Sequence, residues 1–231
     1  MNKLNEKGMT TSAIVILVAS LLVGMAGGYA IGYSNKNTTT TSSSVATTAP
    51  SSATKAADLR SNLVTLGVEH MTLTNQAVDA ALDGSKTADA TGAALYANGN
   101  EIGAAVGSIY GKDAETTFDS VWKLHLDEFV KYAVADSKGD AAGKQAALSA
   151  IDTGYTKPLS QYLAKANPNL PEATLESVLG DHVQMTAAMI DKHVAGDYTG
   201  EAADLKAANQ HIEGIFSTLA GAIVKQYPVK F

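Results

Sequence analysis

The sequence predicts an all-α protein: an up-and-down helical bundle of three tandem αα-hairpins, preceded by one transmembrane helix and a disordered linker. Three observations carry this. The first is a recurrence. His70 in LVTLGVEHMTLTNQAVDAALDG (63–84), His125 in FDSVWKLHLDEFVKYAVADSKGD (118–140) and His182 in LESVLGDHVQMTAAMIDKHVAGD (175–197) occupy one place in three similar segments. A period near 55 residues is about one helix–turn–helix pair. The second is composition: Ala and Leu dominate the chain beyond residue 56, with one Trp and few β-branched runs, which favours helix over strand. The third is an uncharged amino-terminal stretch, residues 8–35.

Residues 1–8 read as a short cytoplasmic end and 9–34 as a signal-anchor helix. The strongly apolar part, Ala13 to Tyr33, would reach about 31 Å as a helix, enough to span a bilayer. Lys3 and Lys7 precede it, so the positive-inside rule places that end in the cytoplasm and the rest of the chain outside. A cleaved signal peptide, with secretion, is the competing reading, with Gly28-Tyr29-Ala30 as a tolerable cleavage site. Gly24, Gly28 and Gly32 share one helix face, a spacing that permits self-association of anchors. Residues 35–56, NKNTTTTSSSVATTAPSSATKA, lack apolar bulk and read as a flexible tether.

Residues 57–231 form the extracytoplasmic domain. Its first helix is expected over 57–82, with the seam Leu59, Leu63, Leu66, His70, Leu73, Ala77 and Ala80. The second, 87–110, is weakened by Gly92, Gly99, Gly103 and Gly107, which would let a neighbour pack close. Gly111 ends it, and Asp113 is the expected cap of the third, 114–136. That helix carries Phe118, Trp122, His125, Phe129 and Tyr132 and should be the centre of the core. The fourth, 141–165, is interrupted at Pro158, with a kink expected near Tyr155–Lys157. Asn167–Pro171 is a loop. The fifth, 171–195, has the seam Leu175, Val178, His182, Met185 and Met189. The sixth, 199–226, has Leu205, Ala208, Ile212, Ile215, Leu219 and Ala222, with His211 beside that seam. Short turns between long helices imply antiparallel neighbours.

Composition excludes several functions. There is no cysteine, so disulfides, zinc-thiolate sites, iron–sulfur clusters and cysteine nucleophiles drop out. Setting aside Lys3, Lys7, Lys36 and Glu6 takes the 17 basic residues to 14 and the 23 acidic ones to 22, a charge of about −8. So acidic a surface argues against nucleic acid as a partner. No His-Glu-x-x-His, Glu-x-x-His pair, G-x-S-x-G or phosphate loop is present.

The histidines replace apolar residues on buried stripes, so all three should point into the bundle at similar depth. His211, on the return helix of the third hairpin, could join them. Three or four converging imidazoles suit zinc, copper or iron. Glu69 and Asp181 precede two of the histidines by one residue, about 100° away on the helix, which suits them to orient a neighbour's imidazole. Met185 shares the His182 face, and a His plus Met set leans towards copper. Bis-histidine haem ligation is a weaker geometric option. The plain alternative is a set of neutral core histidines inherited by duplication, bonded to Asp152, Tyr155 or backbone carbonyls. His193, beside the Ala195–Asp197 turn, reads as exposed.

Glu69-His70, Trp122-x-x-His125 with Phe129-Val130-x-Tyr132, His182 with Ala195-Gly196-Asp197-Tyr198, His211, and the ending Gly221-Ala222-Ile223-Val224-Lys225-Gln226-Tyr227-Pro228 form a pattern. It resembles a family of secreted or membrane-anchored helical proteins of Gram-positive-type bacteria, some fused to a copper-amine-oxidase-like amino-terminal domain. The resemblance covers about 57–231. It implies an extracytoplasmic helical domain of uncharacterised role. It implies no amine oxidase activity, because neither the attached domain nor a cofactor-forming tyrosine motif is found in this chain. The expected function is therefore binding at the cell surface, through a transition metal held by His70, His125, His182 and His211. The alternative is a metal-free structural or interaction module of the cell envelope. An enzyme is the least favoured reading, since no general acid or base is clearly placed.

Overall fold

The computed structural model describes residues 54–231, and these are helical almost throughout. The expected cytoplasmic end, the signal-anchor with Gly24, Gly28 and Gly32, and all but the last residues of the linker lie outside the described residues. Among the described residues there is no strand, and no helix is long and apolar enough to cross a membrane.

The helices are α1 (Lys55–Leu82), α2 (Ala88–Tyr110), α3 (Lys112–Ser137), α4 (Ala141–Ile151), α5 (Lys157–Ala166), α6 (Glu172–Val194) and α7 (Tyr198–Gln226). Three of them start on a side-chain cap. Thr54, Asp140 and Asp197 each accept a hydrogen bond from a backbone N–H three residues on, at Ala57, Gly143 and Gly200. Asp113 does not cap α3, contrary to the sequence reading. Gly111 adopts φ 95°, which turns the chain within one residue, so α3 starts at Lys112 and Asp113 falls inside its first turn.

α4 and α5 are one helix interrupted by a π-helical segment, Asp152–Thr156. Pro158 has no N–H to give, and the Lys157 N–H bonds to the Asp152 carbonyl, one residue further back than in an α-helix. The strain at the proline is thus absorbed as a widened turn just ahead of it.

Consecutive helices pack side by side, and α7 closes the ring against α1. Contacts run antiparallel at every seam. Gly99 faces Trp122 while Gly107 faces Glu115, so residue numbers rise on α2 as they fall on α3. Arg60 pairs with Ser217 and Asn75 with Glu201 in the same sense across α1 and α7. Alternate members α1, α3 and α6 also touch one another and fill the centre of the ring. Each of these three carries one of the recurring histidines.

The core is built on α3. Phe118, Trp122, Leu126, Phe129 and Tyr132 are all at most 4% exposed. Burying each large apolar side chain contributes roughly 1.5–3 kcal/mol, so this face dominates the stability of the domain. Trp122 fits only because Gly99 lies opposite: a Cβ there would come within 2.8 Å of the indole Cδ1. Gly99, Gly103 and Gly107 are therefore packing residues, as their spacing suggested.

Candidate metal centre

His70 on α1, His125 on α3 and His182 on α6 meet at the middle of the bundle. Each is 1% exposed. Their ring centroids are 5.6, 5.9 and 6.5 Å apart, a nearly regular triangle. One nitrogen from each ring can be chosen so that all three lie within 4.8 Å of one another. His70 Nδ1, His182 Nδ1 and both nitrogens of His125 are buried without a hydrogen-bond partner. Leaving a buried polar atom unbonded costs about 1–3 kcal/mol, so four such atoms at one spot are a concentrated debt in the folded state.

Burial settles the protonation of the triad. Desolvation, reinforced by the neighbouring His182, pulls His70 down to about 3. Desolvation and nearby His211 bring His182 to about 4. His125 is held well below the usual histidine range by burial first and by the facing His70 and His182 next. The Trp122 carbonyl one turn back opposes this in part without making a hydrogen bond to it. All three are therefore neutral at pH 7, the state in which imidazole binds a metal.

Aromatic rings hold the triad in place. The Trp122 indole lies 4.8 Å from the His70 ring and 4.7 Å from His125. Tyr155, delivered by the π-helical segment, stacks on His125. Neither Asp152 nor Tyr155, the partners offered by the metal-free alternative, bonds a triad histidine: Asp152 pairs with Lys157 at the surface, and Tyr155 meets the His125 imidazole face to face. Thr74 and Thr186, each four residues beyond a triad histidine, return their hydroxyl protons to the carbonyls of His70 and His182. Phe129 stands at the matching position after His125.

A cavity of about 50 Å³ adjoins the three histidines. It runs between α1, α2 and α3, where Ala77, Ala81, Gly92 and Ala133 leave space among Leu95 and Phe129. The volume suits a few waters or a small ligand. A porphyrin needs several hundred Å³ on the scale of ordinary cofactor pockets, so the haem option does not fit this interior.

The remaining candidates sit elsewhere. His211 is half-buried on the outer helix α7, and its Nε2 bonds the Val178 carbonyl at 2.9 Å, so it is spent on α6 backbone. Glu69 is exposed and accepts from Asn98, and Asp181 is exposed. The 100° offset that was expected to aim them at a neighbour's ring turns them outward instead. Met185 is partly buried against the core and does not line the cavity.

His193 corrects the sequence reading. It is 7% exposed, not a surface residue, because the ends of α1, α6 and α7 fold over it. Its Nδ1 lies 3.0 Å from Asp79 Oδ1 and 3.1 Å from Glu201 Oε2, and its Nε2 lies 3.2 Å from Asp83 Oδ1. A signal for this cluster was present in the sequence: Asp79 and Asp83, and likewise Asp197 and Glu201, are four residues apart, which puts each pair on one helix face.

No family model, curated protein or solved structure matches this chain.

Proposed function

We propose that this is a cell-surface binding protein, held at the membrane by its amino-terminal segment, that coordinates a transition metal through His70, His125 and His182. The supporting observation is the convergence of three neutral, fully buried imidazoles whose ring nitrogens include four with no other partner. Tetrahedral coordination at about 2.0–2.1 Å places nitrogens about 3.3 Å apart, so the rings would draw inward by about an ångström to close on an ion. An all-nitrogen set with no carboxylate favours copper or zinc over magnesium or calcium. The likeness to secreted helical proteins of Gram-positive-type bacteria fits an extracytoplasmic site of this kind.

The second reading is a metal-free structural or interaction module, and the ring packing of Trp122, Tyr155 and His125 favours it, since such stacking alone stabilises a core. Metal analysis of the full-length protein separates the two. The protein is extracted in detergent and titrated with Cu²⁺ and Zn²⁺ beside His125→Gln. One more equivalent of metal in the parent than in the variant, with helicity retained, supports the metal reading. Equal metal in the two proteins leaves the histidines as core residues.

A further inference from the structure

We propose a second, separate cation site formed by Asp79, His193 and Glu201, specific for a first-row divalent metal that accepts mixed imidazole and carboxylate donors. The three residues come from three helix ends: the last turn of α1, the last turn of α6 and the first turn of α7. Each offers one ligand atom, and these atoms lie within 4.8 Å of one another. The His193 and Glu201 side chains are only 6% and 8% exposed, and Asp79, 32% exposed, opens the site to solvent on one side.

The charge around it is unbalanced. Asp79, Asp83 and Glu201 face a single imidazole, and none of the three carboxylates has a Lys or Arg ion-pair partner among the described residues. Lys192, the nearest basic residue in sequence, is engaged by Asp197 at 2.7 Å. The carbonyl ends of α1 and α6 add two negative dipole termini, offset in part by the positive amino-terminal end of α7 at Glu201. Asp79 Oδ1 is a buried oxygen with no hydrogen bond: the His193 Nδ1 beside it is aligned on Glu201 Oε2. Asn75 bridges Asp79 Oδ2 and Glu201 Oε1 at 2.8 and 2.6 Å, which orients both carboxylates with their second oxygens toward His193. A divalent cation would neutralise the excess of carboxylates over basic groups at this spot. Carboxylates suit manganese and imidazole suits zinc, so the donor set selects borderline metals over calcium.

Mn²⁺ is the probe, because an all-imidazole triad holds it far more weakly than copper or zinc and the two sites can be read apart. Full-length protein in detergent is titrated with MnCl₂, and free Mn²⁺ is followed by its aqueous paramagnetic resonance signal. One equivalent is expected to bind, with affinity reduced at least tenfold in Glu201→Gln and in Asp79→Asn, and unchanged in His125→Gln. Circular dichroism checks that each variant is folded. The proposal is overturned if no Mn²⁺ binds at millimolar concentration, if the isosteric variants bind as well as the parent, if His125→Gln abolishes binding, or if Ca²⁺ competes on equal terms.

Discussion

The phenol ring of Tyr155 lies over the imidazole of His125, with 4.2 Å between centroids and 22° between planes. Tyr155 reaches this position from the π-helical segment, so the irregularity upstream of Pro158 is what brings an aromatic wall to the triad. Tyr155→Ala opens a cavity beside His125 and should cost about 3–5 kcal/mol, read as a fall in the urea midpoint. Tyr155→Phe keeps the stack and should stay within about 1.5 kcal/mol of the parent. Equal losses from the two would show that the hydroxyl, not the ring, matters.

Acid should weaken the metal-free domain. The triad histidines bind protons less readily folded than unfolded, so lowering the pH below about 6.5 favours unfolding, and the loss continues down to about 3–4. For His70 alone the change from pH 7 to pH 5 is on the order of 2 kcal/mol. Asp79 and His193 act oppositely: their raised values mean the folded state holds protons more tightly, so their contribution declines as pH rises through them. Urea midpoints at pH 7, 6 and 5 should therefore fall more steeply in Asp79→Asn than in the parent, and less steeply in His70→Leu. A profile in His70→Leu as steep as the parent's would contradict the burial of a neutral His70.

Metal should stabilise the fold by mass action. Free Zn²⁺ or Cu²⁺ at 100 times its dissociation constant adds about 2.7 kcal/mol, which corresponds to a rise in Tm of roughly 5–10 °C for a domain of this size. Differential scanning calorimetry should show this shift in the parent and a smaller one in His182→Gln, which keeps only the carboxylates around His193 as ligands. A shift of the same size in His182→Gln would place the bound metal elsewhere.

Gly99→Ala should disturb the triad without touching a histidine. Its Cβ would stand 2.8 Å from Trp122 Cδ1 and 2.9 Å from Nε1, forcing the indole towards His70 and His125, at about 1–3 kcal/mol. Trp122 is the single tryptophan, so its fluorescence and near-ultraviolet dichroism report the movement directly. Gly214→Ala is the control: a Cβ there meets nothing within 4 Å, and removing a helical glycine should stabilise by about 0.5–1 kcal/mol.

Much of the helical layout was legible in the sequence, because each helix repeats apolar residues at helical spacing and each turn is marked by Gly, Asp or Pro. The ends of α1, α2, α6 and α7 fall within about two residues of expectation, as caps and turn residues act locally. The burial of His70, His125 and His182 was legible for the same reason: a polar residue on an apolar seam has nowhere else to point. What escaped were tertiary choices. His211 sits on a helix that packs outside the inner three, and no local pattern tells inner from outer. His193 stands at a helix end, which sequence alone reads as surface, and only the closure of α7 onto α1 buries it. The helix start at Lys112 depended on a left-handed glycine that makes a one-residue turn.

The antiparallel ring gives the domain two poles. Residue 54 enters at one of them, together with the end of α7, where Arg60 meets Ser217. Asp79 lies 24 residues into α1, about 36 Å away along the axis. Residue 54 and the carboxylates around His193 therefore stand at opposite poles of the domain. The small-residue cleft beside the triad runs toward the His193 pole, from His70 and His125 to Leu82 and Val134. A solute arriving from that side meets acid first and imidazole second.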